Sequence, residues 1–142
     1  MRIALLCILA LACTGCPQRY ATRKVALAGF TGHAETSANL STTNPEVQTA
    51  LKIIDRVLAS RGFAPTANPN LKVAGSLVTY DRFTADGHST IFPSISVRLN
   101  GNTLEFVIRN RPDLRLEDKQ ILKAVTTELR SHYGTAKVKT SG

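Results

Sequence analysis

Beyond residue 16 the chain has no cysteine; its three, Cys7, Cys13 and Cys16, all lie at the start. A domain without internal thiols is not stapled by disulfides, so its core must hold it alone. The apolar stretch at residues 3–12 is too short for a bilayer core, which needs roughly 20 apolar residues, so it is not a transmembrane helix. Acidic residues are scarce, 10 Asp and Glu against 18 Lys and Arg. There is no low-complexity run and no internal repeat, which excludes fibrous and solenoid architectures. The chain beyond Cys16 is long enough for one domain and too short for two.

Signatures of catalysis are also missing. No G-x-S-x-G elbow or S-x-x-K pair occurs. His33, His88 and His132 stand singly, without a second ligand at metal spacing on the same element, so no metal and no cofactor is expected. Asp81, Asp86 and Glu105 are too scattered to make a carboxylate pair. The expectation is a protein that is not an enzyme. The alternative is a small hydrolase whose site is assembled from distant residues.

What is present at the start is an export signal. Arg2 supplies a positive n-region, residues 3–12 an apolar h-region, and Thr14-Gly15-Cys16 comes directly after. This ending resembles the lipobox of bacterial lipoproteins, with Cys13 standing where that family usually has Leu. The resemblance implies that Cys16 carries a diacylglyceryl thioether and an acylated amino group, with the lipid bilayer as partner through those chains. Pro17 stands where the enteric retention rule looks for Asp, which implies the outer membrane rather than the inner. Two alternatives stay open. Cys13 could be the modified residue, or Ala10-Leu11-Ala12 could serve the ordinary signal peptidase and release a soluble periplasmic protein.

The formal net charge is +8, and loss of Arg2 with the signal lowers it by one. Such a surplus favours anionic partners: lipid headgroups, lipopolysaccharide phosphates, peptidoglycan or nucleic acid; an envelope protein is a further candidate partner. Export, and the lack of an interleaved aromatic–basic segment, argue for no nucleic acid. Arg109, Arg111 and Arg115 cluster beside one predicted helix and form the candidate anion-binding patch, since a guanidinium can donate two parallel hydrogen bonds to phosphate. Asp113, Glu117 and Asp118 are close enough in sequence to neutralise them.

Periodicity outlines the domain. Residues 24–30 suit a strand with Val25 and Leu27 on one face, and residues 31–43 a polar loop. Asn44-Pro45-Glu46 starts a helix, Val47, Ala50, Leu51, Ile54, Val57 and Leu58 form its apolar face, and Gly62 stops it. Residues 64–70 are expected to be a linker. Strands are expected over residues 71–83 and 89–99, the latter with a bulge or local break at Pro93, and then beyond Asn100-Gly101. A two-residue Asn-Gly turn pairs Val97 with Leu104; a three-residue turn ending at Gly87 pairs Leu77 with Ile95. Ile121, Leu122, Val125, Leu129 and Tyr133 mark a last helix, stopped by Gly134. The expected fold is α+β, a two-layer sandwich of order β-α-β-β-β-α, with two helices on one face of a mainly antiparallel sheet. Its expected parts are a signal peptide at 1–15, a lipidated tether at 16–22, a single domain at 23–134 and a disordered tail at 135–142.

The helix ending in Arg61-Gly62-Phe63, with a linker and Leu71-Lys72-Val73 after it, resembles small outer-membrane lipoproteins of two kinds. These are the lipopolysaccharide-assembly lipoprotein and proteins built on a DUF4136-like domain. That resemblance implies a membrane-anchored envelope lipoprotein acting as a non-enzymatic binding or assembly accessory module.

Overall fold

The computed structural model describes residues 20–30, 44–86, 88–111 and 115–142. The expected signal, Cys7, Cys13, Cys16, His33, Gly87, Pro112 and Asp113 lie outside the described residues. Six strands, β1 (Ala21–Ala28), β2 (Phe63–Pro65), β3 (Val78–Phe83), β4 (Ser89–Asn100), β5 (Thr103–Asn110) and β6 (Val138–Ser141), form one sheet in the order β2-β3-β4-β5-β1-β6. Every described pairing is antiparallel. Two helices, α1 (Pro45–Ala59) and α2 (Arg115–Tyr133), complete the α+β architecture.

Alternation in the strands places Val25, Leu27, Tyr80, Ile95, Val97, Leu104, Phe106 and Ile108 on one face, where they pack in a single core with both helices. Tyr80 and Arg82 lie on that face and reach one helix each, through Asp55 on α1 and Glu117 on α2. The core lies wholly between Val25 and Val138.

The first helix follows its local signals. The Glu46 and Val47 amides donate to Asn44 Oδ1 at 2.9 and 3.4 Å, and Pro45 opens the first turn. Gly62, at φ +79°, turns the chain so that Phe63 returns to the core. Gly134 ends α2 the same way, its amide donating to the Arg130 carbonyl at 2.9 Å.

Two registers differ from expectation. Asn100 pairs with Thr103 and Val97 with Phe106, so the β4–β5 turn is Gly101-Asn102, one step later than Asn100-Gly101. Only Gly101 has positive φ, the pattern of a type II′ hairpin, and the slip of two in pairing leaves the apolar faces together. Between β3 and β4, Phe83 opposite Ser89 agrees with the three-residue turn, but a bulge then intervenes and Tyr80, not Leu77, faces Ile95. Pro93 lies inside this irregularity, where a missing donor costs no ladder bond.

Three boundaries change. The sheet begins at Ala21, inside the expected tether. Phe63–Pro65 pairs with β3 where a linker is expected, and the strand expected from residue 71 starts only at Val78. Residues 138–141, within the expected disordered tail, pair with β1 and bury Val138 against Leu27. The open edge of β1 supplies the partner that this polar segment needs.

Candidate functional site

Opposite the helices, the sheet presents its polar face. Residues 66–77 fold across the β3 side of it: the Val73 amide donates to Thr79 Oγ1 at 3.0 Å, and the Thr66 amide to the Thr79 carbonyl at 2.8 Å. This cover buries Thr79 and Ser96, and it leaves a recess of about 220 Å³ beside it. Arg109 and Ser94 form one wall of the recess, and Thr79 and Asp81 another. Tyr20 and Phe92 close it, their rings stacked at 5.1 Å between centroids. A smaller hollow of about 80 Å³, lined in part by Ser96, Arg98 and Val107, shares Ser94 and Arg109 with it.

Each side chain arrives for a local reason. Ser94, Arg109 and Thr22 form a cross-strand row on β4, β5 and β1, so strand alternation alone turns Arg109 to the polar face. Asp81 sits on the same face of β3, opposite the bulge, and is buried. Phe92 belongs to the bulged stretch of β4, and Tyr20 immediately precedes β1. The result combines a cation, a carboxylate, hydroxyls and an aromatic wall, which suits a polar group that carries charge next to an apolar part.

Of the predicted arginines, Arg109 and Arg111 are exposed at the end of β5, and the Arg111 amide donates to Asn110 Oδ1 at 2.8 Å. Arg115 opens α2 at the same end of the sheet. Of the acids expected to neutralise them, Asp113 lies outside the described residues, and Glu117 and Asp118 each have another partner. Glu117 takes both guanidinium nitrogens of Arg82, the longer contact at 3.4 Å, and that guanidinium also lies 4.8 Å over the Phe63 ring. Asp118 Oδ1 accepts from Asn110 Nδ2 at 2.6 Å. Burial pushes the Asp118 carboxyl up; the Asn110 hydrogen bond and the Arg23 charge oppose that rise without cancelling it. Among the described residues Arg109 forms no ion pair.

The three scattered carboxylates stay apart. Asp81 faces the recess, and Asp86 occupies the β3–β4 turn, where the Thr84 hydroxyl lowers its pKa. Glu105 lies between Arg98, at 2.6 Å, and Lys24, at 3.9 Å. Burial would raise the Glu105 carboxyl, but the Arg98 hydrogen bond and both cationic charges hold it below the usual carboxylate range. His88 and His132 are exposed, and no cluster of three metal-binding side chains occurs among the described residues.

Sequence reasoning did not place Tyr20, Asp81 and Phe92 around the same recess as Arg109. Tyr20 precedes β1, Asp81 lies in β3 and Phe92 in β4, and Phe92 comes from the irregular stretch of β4, where alternation does not predict its side. A larger groove of about 680 Å³ lies between α1 and α2, with Val57, Ser60, Ala124 and Thr127 among its lining and Arg56 paired to Glu128 at 3.2 Å. The recess differs in combining a cation, a buried carboxylate and stacked aromatic rings. Comparison with known proteins finds no matching family model, no matching curated protein and no matching solved structure.

Proposed function

We propose that the chain is a bacterial envelope lipoprotein, held to a membrane by acyl chains on Cys16, whose α+β domain is a non-enzymatic binding or assembly module. The observation that carries this reading is Thr14-Gly15-Cys16 after a short apolar segment, placed five residues before Ala21, the first residue of β1. Acyl chains contribute about 0.8 kcal/mol per buried CH₂, so two or three hold the domain without help from its surface. Pro17 favours the outer membrane. The contact surface is the polar sheet face around Arg109, extended by Arg111 and Arg115, and its partner is an anionic envelope component.

The test of the anchor is Cys16→Ala. The unaltered protein should sediment with membranes and resist a high-salt wash, whereas the variant should lose lipid modification and membrane retention. Normal processing of the variant, with both forms soluble in the periplasm, would refute the proposal.

A further inference from the structure

The described residues include four large apolar side chains that stay exposed: Tyr20 at 41%, Val73 at 38%, Phe83 at 59% and Leu116 at 71%. Three of these share one end of the molecule. Tyr20 precedes Ala21, which pairs with Asn110 at the end of β5. Phe83 closes β3 next to Arg82, whose partner Glu117 is in the first turn of α2, and Leu116 precedes Glu117. Arg109 and Arg111 project from the same end, as does the recess. Among the described acids there, Glu117 is engaged by Arg82, Asp118 by Asn110 and Asp86 by the Thr84 hydroxyl. Asp81 is buried in the recess wall. Among the described residues at the opposite end, Gly101, Asn102, Gly134, Thr135 and Ala136 offer small or polar groups and Lys137 a cation.

This placement coincides with the chain's route to Cys16. Four residue steps separate Cys16 from Tyr20, and at about 3.5 Å per residue the chain spans at most about 14 Å. Resting on the proposed anchor, we infer that this end of the domain docks on the phospholipid leaflet holding the acyl chains. Phe83, Leu116 and Tyr20 enter the headgroup region, and Arg109 and Arg111 contact lipid phosphates. Aromatic side chains favour that depth because one part of the ring is wetted and the rest is not. Exposed apolar groups beside arginines have the composition of an interfacial surface, and three such groups at one end orient the domain. The recess then takes a headgroup: phosphate toward Arg109, with the stacked rings of Tyr20 and Phe92 beside the glycerol.

The chain has no tryptophan, so single reporters can be placed without background. Phe83→Trp, Leu116→Trp and, at the far turn, Asn102→Trp would each be purified from membranes as the processed protein. Each would be reconstituted in vesicles of phosphatidylethanolamine and phosphatidylglycerol with brominated acyl chains. Flotation is read first, and circular dichroism checks that each variant is folded. Docking predicts that the reporters at 83 and 116 shift to the blue and lose emission to bromine, while that at 102 does neither. Protein that floats with all three reporters unquenched, or with 102 quenched as strongly, overturns docking and leaves the anchor standing. Folded protein that does not float refutes the anchor, and docking with it.

Discussion

Asp118 is fully buried, and its Oδ2 has no hydrogen-bond partner among the described residues. Burial raises its pKa, so the folded state keeps the proton to a higher pH than the unfolded chain. Its contribution to stability is therefore complete below the ordinary carboxylate pKa and is lost as pH rises through the raised value. Asp118→Asn keeps an acceptor for Asn110 and removes that loss. Urea midpoints measured from about pH 4 to about pH 7 should move in the variant's favour as pH rises. Movement the other way would mean that the Arg23 attraction outweighs desolvation. Tyr80 makes the second test: its ring is in the core, and its hydroxyl donates to the Asp55 carboxylate. Burial and that carboxylate raise the phenol's pKa well above its ordinary value. Tyr80→Phe should cost about 1.5 kcal/mol, the low end for a hydrogen bond to a charged group, because Asp55 regains water. Equal urea stability would mean that the bond is worth nothing net. Neither site is legible in sequence. Asp118 reads there as a surface acid near arginines, and only its contact with Asn110 across the β5–α2 connection makes it a core residue.

Helix α1 is fully legible because each of its signals is local: a capping Asn, Pro in the first turn, an apolar stripe and a Gly stop. Asn44→Ala should cost about 1 kcal/mol in urea denaturation, since two amides lose their acceptor. The strands are legible in face but not wholly in register. Parity is fixed by burial, so Val97 stays indoors whether it meets Leu104, as an Asn100-Gly101 turn requires, or Phe106, as the observed Gly101-Asn102 turn does. The bulge near Pro93 resets the partner of Ile95 from Leu77 to Tyr80, and no local rule specifies how many residues a bulge absorbs. Strands β2 and β6 are not legible, because a three-residue segment ending in Pro65 and a polar segment with one buried valine become strands only beside an existing edge. Ending the chain at Gly134 should test β6. It removes Val138, whose burial contributes roughly 1.5–3 kcal/mol, and leaves β1 as an unpaired edge prone to association. A lower melting temperature with increased light scattering is expected; unchanged melting would mean that β6 adds nothing.

As proposed, the molecule as a whole joins an export signal to a domain that carries three of the four exposed large apolar side chains among its described residues, with Arg109 and Arg111, at the end from which the chain leads back to Cys16. Only part of this arrangement is legible in the sequence. Spacing singles out Arg109, Arg111 and Arg115, and a motif singles out Cys16, but Tyr20, Phe83 and Leu116 become neighbours only after folding. If the arginines contact phosphate, replacing all three by Gln should weaken binding of the unlipidated domain to lipopolysaccharide or phosphatidylglycerol vesicles. The dependence of binding on ionic strength should flatten with it, because each headgroup contact carries a screened charge. Unchanged affinity and salt slope would exclude the patch. Everything proposed about orientation depends on the anchor, and the most direct measurement is the intact mass of the processed protein extracted from membranes. The expected mass is that of the chain beginning at Cys16 with a diacylglyceryl group and an acyl amide added. A mass matching the unmodified chain from Cys13 would contradict it.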